Sequence, residues 1–227
     1  MKKGCIVVAG GKGLRMGGEI PKQYLEIGGK PILVRTVDAL RAYDGDMFIV
    51  VAVPESDLTF VRELLSIGQE EHHISIVAGG ETRTESVLNA LSAMPRDIDR
   101  IGVHDGVRPF VDEQLLSRLF GDKAAVVIPI VPCTDSVRLN IEGTYVPVDR
   151  SEVALVQTPQ VFDASVLRMA YDEYIDRGGT TTFTDDASLV GALLEIPPSV
   201  VPGSEYNIKI TTPKDMILGE WIASKAD

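Results

Sequence analysis

The first segment of this sequence that could do chemistry is "AGGKGLRMGGEIPKQYL", residues 9–25, which follows a short apolar run. It places Lys12, Arg15 and Lys22 among closely spaced glycines. Glycine-rich turns allow backbone N–H groups to approach an anion closely. The segment is therefore a candidate phosphate-binding loop in which Arg15 and Lys22 supply fixed positive charge.

The glycine spacing in this loop excludes two familiar nucleotide sites. A dinucleotide fingerprint requires G-x-G-x-x-G, and Gly11 and Gly13 supply its first two glycines, but Met16 stands where the third should be. The P-loop string G-x-x-x-x-G-K-[ST] does not occur. From spacing alone, an anion-binding loop and an ordinary tight turn with solvated charges remain equally good interpretations.

A second segment, "GGETRTESV" at residues 79–87, has the signature of a helix N-terminus. Thr82 followed three residues later by Glu85 is a capping-box pattern. It places Arg83 and Ser86 in the first helical turn, on one face. Helix N-termini attract anions, so this turn could bind a phosphate. The alternative is ordinary capping with Arg83 in solvent.

A third segment, "VHDGVRPFV" at residues 103–111, follows another apolar run. Asp105 could hold a metal ion or a sugar hydroxyl, and Arg108 could bind a phosphate bidentately. The alternative is an internal Asp105–Arg108 ion pair. His104 is predicted to be a packed core residue. Two later cations, Arg150 after a hairpin and Lys209 in a predicted short late strand, would each be unremarkable alone.

The elements that must position these segments alternate as strand and helix. Such a rhythm predicts a mostly parallel sheet in three α/β/α layers, with ligands at the carboxyl ends of the strands. The predicted strands are residues 5–9, 47–53, 74–77, 100–104 and 124–129. The predicted helices are residues 33–42, 58–67, 84–94, 113–120, 164–177 and 186–194, with a last helix beginning at Pro213 behind Thr212.

The strand–helix rhythm breaks at Val131. Residues 131–162 contain alternating and β-branched residues around a turn signal at Asn140–Gly143. This pattern predicts a β-hairpin with a return strand, projecting from the sheet as an arm. The chain is therefore predicted to form one domain over residues 1–227, with residues 131–157 as a β-arm subdomain.

The charge balance makes the clustered cations informative. The 227 residues contain 22 Lys and Arg against 33 Asp and Glu, which gives a net charge of −11. So acidic a protein is unsuited to nucleic acid and to anionic membranes. Cations at three sheet-edge loops therefore indicate a highly anionic ligand, such as a nucleoside triphosphate with Mg²⁺. Two cysteines and no long apolar run predict a cytoplasmic protein.

Six strings, in this order, resemble the 2-C-methyl-D-erythritol 4-phosphate cytidylyltransferase family over residues 5 to about 215. They are "AGGKGLRMG…PKQYL", "GGETRTESV", "HDGVRPF", "VDR…QTPQVF", "TDDASL" and "NIKITTP". The resemblance implies a Rossmann-like nucleotidyltransferase fold. It also implies that CTP and methylerythritol 4-phosphate give a CDP-alcohol and pyrophosphate with Mg²⁺. A homodimer in which the arms swap between subunits is implied as well.

The resemblance also implies residue roles. Arg15 and Lys22 would stabilise charge on the α-phosphate, and Arg150 and Lys209 would position the methylerythritol phosphate. The implied CTP-binding residues are Ala9, Gly10, Gly11, Gly13, Gly80, Glu81, Arg83, Ser86 and Gly106. The implied residues around the alcohol phosphate are Asp105, Arg108, Ser136 and Thr158, with Asp105 as the candidate Mg²⁺ ligand and with Ser136 and Arg150 reaching the partner's site.

The sequence departs from the family pattern at three places, and three rival functions have to be weighed against it. The family often has two alanines where this chain has Ala9–Gly10, and it often has "HDAARP" where this chain has Gly106–Val107. It also often has Asp at the position of Glu81. A ribitol-5-phosphate cytidylyltransferase would share "AGGKG" and "HDxVRPF", but "PKQYL" with "TDDASL" favours methylerythritol phosphate. A non-catalytic nucleotide-binding protein would have little reason to retain the four cations. A nicotinamide oxidoreductase fails on the glycine spacing.

Overall fold

A computed structural model describes residues 1–11, 20–66 and 73–226. The strands are β1 Lys3–Val8, β2 Glu26–Ile27, β3 Lys30–Pro31, β4 Phe48–Val53, β5 Ile74–Ala78, β6 Arg100–Asp105, β7 Val126–Pro132, β8 Val137–Ile141, β9 Thr144–Val148, β10 Ala154–Val156, β11 Gln160–Asp163 and β12 Ser199–Pro202. The helices are α1 Ile32–Tyr43, α2 Leu58–Leu64, α3 Arg83–Ala93, α4 Glu113–Gly121, α5 Ala164–Asp176, α6 Asp186–Leu194 and α7 Pro213–Ala226. In these ranges no helix is long and apolar enough to cross a membrane.

The main sheet has the strand order β10-β7-β11-β6-β1-β4-β5, and β12 also pairs with β7. Strand β1 is parallel to both β4 and β6, and β4 is parallel to β5. Strand β11 runs antiparallel between β6 and β7. The chain leaves β1 towards β4 on one side and returns to β6 on the other. This reversal of strand order is where such sheets bind ligands.

Apolar strands and one-sided helices explain the three layers. The β1 sequence KGCIVV and the β4 sequence FIVVAV are almost wholly buried, as expected for strands covered on both faces. One apolar cluster joins the sheet to α1, α2 and α4, and a second joins its other face to α3, α5 and α6. A third, smaller cluster links α7 to the short β2–β3 hairpin and to Val107 and Ile210. The predicted α/β/α sandwich with a mostly parallel sheet is confirmed.

The predicted arm is a hairpin in which β8 and β9 form their own two-stranded sheet. Its turn has positive φ at Glu142 (48°) and Gly143 (88°), as a two-residue type I′ connection requires. The Gly143 N–H donates to Asn140 Oδ1 at 2.9 Å. The boundary differs from the prediction because β7 continues in the main sheet to Pro132. The arm's role as a dimerisation subdomain stays a prediction.

The predicted short strand around Lys209 is wrong. The late strand is β12, at Ser199–Pro202, and Lys209 lies on an irregular segment beyond it. The alternating Ile208 and Ile210 suggested a strand, but both side chains pack into the small α7 cluster. The backbone contributes an isolated bond, from Ile210 N–H to the Val107 carbonyl at 2.9 Å, instead of a strand ladder.

Most element boundaries differ from the predicted ones by one to three residues, among them the ends of α2 and β6. Helix α2 ends at Leu64, since Leu65 and Ser66 form a turn in which Ser66 has a positive φ of 52°, so the predicted helix is too long; its last predicted residue, 67, lies outside the described residues. Strand β6 includes Asp105, which was predicted to lie on the following loop. The backbone of Asp105 is therefore fixed by the hydrogen bonds of the sheet, and its side chain projects from a rigid position at the carboxyl end of β6.

Candidate active site

Three loops leave the same edge of the sheet, extending its hydrogen bonds past the ends of the strands. Ala9 N–H donates to the Ala52 carbonyl at 2.8 Å, after β1. Gly106 N–H donates to the Val8 carbonyl at 2.9 Å, after β6, and Gly79 N–H to the Val53 carbonyl at 2.8 Å, after β5. The three segments singled out in the sequence therefore start at one edge of the sheet, at the carboxyl ends of β1, β5 and β6, with β4 between β1 and β5.

Lys22 lies in a short 3-10 turn, Lys22–Tyr24, that is tied back to the end of β1. The next residue, Gln23, donates from Nε2 to the Ala9 carbonyl at 3.0 Å and is buried. Lys22 itself is only 9% exposed. This anchoring fixes where the Lys22 side chain begins. The glycine loop that precedes it, with Lys12, Gly13 and Arg15, lies outside the described residues.

The loop after β5 is packed onto the first turn of α3. Thr82 Oγ1 accepts the Glu85 N–H at 3.1 Å, and the Glu85 carboxylate accepts the Thr82 N–H, so the predicted capping box is confirmed. Ser86 Oγ accepts the Gly80 N–H at 3.1 Å, and the Glu81 N–H binds Glu85 Oε2 at 2.7 Å. These bonds order the turn before any ligand arrives.

Asp105 is the centre of a cluster of three cations. Its Oδ2 lies 3.0 Å from Lys209 Nζ and 3.1 Å from Arg108 Nε, and its Oδ1 lies 3.8 Å from Arg83 Nε. Burial alone would raise the pKa of this carboxyl, but Lys209, Arg83 and Arg108 together hold the pKa well below its usual range. Asp105 is therefore ionised, and the cluster carries an excess of positive charge.

Arg83 bridges Asp105 to a second buried carboxylate, Asp186. Arg83 Nη1 lies 2.7 Å from Asp186 Oδ2, and the Tyr171 hydroxyl donates to Asp186 Oδ1 at 2.7 Å. Burial opposes the charge on Arg83, but Asp186 and Asp105 raise its pKa overall. Arg83 Nη2 is buried and has no hydrogen-bond partner among the described residues. It is therefore a donor that an anionic ligand can satisfy.

Thr158 and His104 brace the turn that carries Arg108. Thr158 Oγ1 accepts the Asp105 N–H at 3.0 Å and lies 3.0 Å from His104 Nδ1. His104 Nε2 lies 3.2 Å from the Arg108 carbonyl, which can only accept, so Nε2 carries the proton and Nδ1 accepts from Thr158. Arg108 Nη1 donates to the Asn207 carbonyl at 2.8 Å. As predicted, His104 is a fully buried core residue.

Comparison with known proteins decides the family. The family model described as 2-C-methyl-D-erythritol 4-phosphate cytidylyltransferase matches residues 4–225. The chain belongs to this family. The Bacteroides fragilis 2-C-methyl-D-erythritol 4-phosphate cytidylyltransferase is 45% identical over 222 residues, covering 95% of this chain and 97% of the relative.

Solved structures with the same fold carry the same name or its synonym. The crystal structure of 4-diphosphocytidyl-2C-methyl-D-erythritol synthase from Anaerococcus prevotii superposes with a TM-score of 0.84 at 27% identity, covering 98% of each chain. The 2-C-methyl-D-erythritol 4-phosphate cytidylyltransferase from Thermus thermophilus gives a TM-score of 0.79 at 30% identity, covering 99% of this chain and 100% of that one. These matches support methylerythritol phosphate over ribitol 5-phosphate as the acceptor.

The residues predicted from the cytidylyltransferase family divide into two groups in a single chain. Arg83, Asp105, Arg108 and Lys209 contact one another at the sheet edge. Gly10 is next to Ser86, since a Cβ at Gly10 would lie 3.8 Å from Ser86 Oγ, and a Cβ at Gly106 would lie 2.9 Å from Ala9 Cβ. Gly11 follows at the end of the described segment, and Gly80 and Glu81 lie beside Ser86.

The second group lies on the arm. Arg150 stands in a 3-10 turn after β9, and its Nη1 donates to the Thr134 carbonyl at 2.9 Å. Ser136 is exposed just before β8. The internal Asp105–Arg108 pair, considered as an alternative to ligand binding, is present. The individual roles of all these residues stay predictions.

Sequence reasoning gave no role to two residues that organise this cytidylyltransferase-family site. Asp186 belongs to the string "TDDASL", and it is 1% exposed and holds Arg83. Asn207 belongs to the string "NIKITTP"; its carbonyl accepts from Arg108, and its side chain donates to the Thr158 carbonyl at 2.8 Å. The one available signal was the pair of acidic residues in "TDD". This pair did not by itself indicate a buried residue, because acidic side chains are usually exposed.

His104 is expected to make stability depend on pH. Burial lowers the pKa of His104 from 6.5 to about 4. Between these pH values the unfolded chain binds a proton that the folded protein does not, so stability falls as the pH falls. The loss reaches about 3 kcal/mol at pH 4. Urea unfolding at several pH values measures it.

Two variants isolate the His104 contribution. His104→Gln removes the titrating group and should flatten this part of the pH dependence, whatever its effect on stability at neutral pH. His73→Gln, at an exposed position, should leave the dependence unchanged. An equal pH slope in wild type and His104→Gln would contradict the assignment.

Proposed function

We propose that this protein transfers the cytidylyl group of CTP to 2-C-methyl-D-erythritol 4-phosphate. An oxygen of the acceptor phosphate bonds to the α-phosphorus, the α–β phosphoanhydride bond breaks, and pyrophosphate leaves. The observation that carries the proposal is the cation cluster around Asp105 at the carboxyl end of β6, in a chain of this family. We place the reaction in the cytoplasm, where free thiols such as Cys5 and Cys133 persist.

The reaction needs positioned cations more than it needs a general base. The attacking phosphate oxygen is already an anion, so no proton has to be removed from it. The main obstacle is the approach of two anions, which fixed positive charges overcome by positioning and electrostatic stabilisation. We assign Lys22 and Arg15 to the α-phosphate, and Lys209 together with Arg150 to the methylerythritol phosphate.

The cluster is pre-organised for phosphates. Asp105 and Asp186 hold Arg83, and Asp105 also holds Arg108 and Lys209, so these cations do not have to be collected when substrate binds. Lys209 is the most exposed of the three, with 41% of its side chain accessible. It is therefore the cation best able to turn from Asp105 to an incoming phosphate. Arg83 Nη2 supplies a further unsatisfied donor.

We also propose that Mg²⁺ assists, held chiefly by phosphate oxygens of CTP. No cluster of three or more His, Cys, Asp or Glu suited to a metal is found in the described part of the chain. Asp105 fits the part of a single protein ligand because it is ionised and its Oδ1 has Arg83 only at 3.8 Å, beyond hydrogen-bond distance. Mg²⁺ commonly uses one or two carboxylates plus phosphates and water. Its chemical contribution would be to neutralise phosphate charge.

Pyrophosphate release from purified protein tests the function. CTP with methylerythritol 4-phosphate and Mg²⁺ should release pyrophosphate and form the CDP-alcohol, and CTP with ribitol 5-phosphate should not. CTP binding without turnover on either acceptor would indicate a non-catalytic nucleotide-binding protein. Turnover only with ribitol 5-phosphate would overturn the acceptor assignment.

We propose a homodimer formed through the arm. The register of β8 and β9 places Leu139 opposite Val146 and Ile141 opposite Thr144, on one face of the hairpin. Leu139, Ile141 and Val146 are 56%, 50% and 40% exposed. A two-stranded hairpin is marginally stable by itself, and an apolar face on it is a typical interaction surface. A second copy covering this face would bring Ser136 and Arg150 near the partner's site.

The dimer prediction has a matched pair of variants. Leu139→Asp puts a charge on the apolar face and should shift the protein from dimer to monomer in sedimentation at micromolar concentration. Asn140→Asp adds the same charge on the opposite face and keeps an oxygen that can accept the Gly143 N–H, so it should remain dimeric. A wild-type monomer with full activity would remove Arg150 from the proposed cross-subunit site.

A further inference from the structure

A cavity of about 630 Å³ lies apart from the residues assigned to the cytidylyl transfer. It is bounded by α1, by α7, by the segment that follows Arg108 and by Tyr206. Its volume falls within the range of sites that hold small ligands. Pro109 and Phe110 line it and follow Arg108 directly, and Tyr206 precedes Asn207, whose carbonyl binds Arg108. The cavity is thus distinct from the cation cluster but shares chain segments with it.

Aromatic side chains form much of the cavity's apolar surface. The rings of Tyr206 and Trp221 have centroids 6.4 Å apart and planes inclined by 30°. Both are about half exposed, so their faces are available to a ligand. Phe110 packs against the small cluster beneath α7, and Val111 and Ile222 are buried. Such a surface suits a flat aromatic ring, which stacks favourably on other rings.

The carboxylates of the lining are already engaged. Asp38 lies 2.7 Å from Lys30 Nζ. Asp112 Oδ1 accepts the Leu115 N–H at 2.7 Å as the N-cap of α4. Asp38 is therefore paired with a cation, and Asp112 keeps its charge while its Oδ1 caps α4.

The remaining lining charges are positive. Arg35 donates from Nε to the Ile27 carbonyl at 2.5 Å and from Nη2 to the Gly28 carbonyl at 3.0 Å, which satisfies donors without neutralising its charge. Lys225 has no ion-pair partner within the described ranges. With Lys30, the lining has three cations against two carboxylates on a protein whose net charge is −11. This local excess complements a single negative charge.

We propose that this cavity is a second ligand site that binds a small aromatic monoanion. The ring of the ligand lies against Trp221 and Tyr206, and its carboxylate faces Lys225. The aromatic walls supply apolar contact, and the excess positive charge selects an acid over a neutral ligand of the same shape. Because the cavity uses none of the residues assigned to the reaction, the ligand and CTP bind together.

Fluorine NMR with para-(trifluoromethyl)benzoate tests the site, with the matched benzamide as the neutral probe. We expect a dissociation constant on the order of 10⁻⁴ M for the acid and weaker binding of the amide. Trp221 is the chain's only tryptophan, so intrinsic tryptophan fluorescence reports directly on the cavity. Trp221→Ala should weaken acid binding roughly tenfold. Lys225→Gln should weaken it about fivefold and remove the preference for the acid.

Two changes on the same helix serve as controls. Ile217→Ala and Lys214→Gln alter residues of α7 that do not line the cavity, and both should bind the acid as wild type does. Saturating CTP should not displace the acid. Equal affinity for acid and amide, unchanged binding in both Trp221→Ala and Lys225→Gln, or displacement by CTP would each overturn the proposal. Lys225 is exposed, so its variant remains informative if Trp221→Ala unfolds.

Discussion

Lys22→Ala is expected to lower the turnover number roughly 10²–10³-fold, the usual loss when one fixed stabiliser of transition-state charge is removed. Lys22 follows Pro21, and the turn that holds it is closed by Tyr24 N–H donating to the Pro21 carbonyl at 2.9 Å. Gln23 ties this turn to Ala9. These contacts do not use the Lys22 side chain, so the turn should survive its truncation. The loss should therefore appear in kcat in a protein that still folds.

Steady-state pyrophosphate release at saturating CTP and methylerythritol 4-phosphate measures this effect. Lys123→Ala removes an exposed lysine elsewhere on the surface and should turn over as wild type does. Lys22→Arg retains the charge in a different shape and should recover only part of the lost rate. A kcat for Lys22→Ala close to that of wild type would exclude a catalytic role for this residue.

Features that depend on residues close in sequence could be predicted. The capping box joins Thr82 to Glu85, three positions away, so its two residue types are enough to locate the start of α3. The arm's turn is likewise set locally, by Asn140 and Gly143. The parallel sheet follows from apolar runs too short for helices and buried on both sides.

Features that depend on distant residues could not be predicted in the same way. The bond from Arg108 to the Asn207 carbonyl joins residues 99 apart in sequence, and no periodic pattern signals such a contact. The alternating pattern of Ile208, Lys209 and Ile210 resembles that of a strand because both isoleucines pack into a small apolar cluster. The charged residues of the site could be named from resemblance, but their pairing around Asp105 required the fold.

The two sequence-level interpretations of "HDGVRPF" turn out to be compatible. Asp105 and Arg108 do form an internal pair, which was the structural alternative to ligand binding. The pair is not isolated, however, because Lys209 and Arg83 converge on the same carboxylate from other segments. Asp105 is buried, and by holding three cations in place it organises a candidate phosphate site. This arrangement makes the protein's stability depend on Asp105.

Asp105→Asn is expected to destabilise the ligand-free protein by about 3–5 kcal/mol, the usual cost of removing one partner from a buried ion pair. Asparagine keeps the shape but leaves Arg83, Arg108 and Lys209 without their shared counter-charge. The pKa of Asp105 in the folded state is below its unfolded value, so its contribution is present above pH of about 4 and is lost as the pH falls through the folded-state pKa. Urea unfolding at pH 7 therefore measures the full effect.

The effect of added pyrophosphate on the melting temperature shows whether Asp105→Asn is destabilised by loss of charge or by loss of packing. A polyvalent anion at the cluster restores the missing negative charge, so it should raise the melting temperature of Asp105→Asn more than that of wild type. Asp38→Asn removes an exposed carboxylate paired with Lys30 and should cost less than about 1 kcal/mol, with no extra response to pyrophosphate. Wild-type stability in Asp105→Asn, or an equal pyrophosphate response in both proteins, would show that the three cations do not depend on this carboxylate.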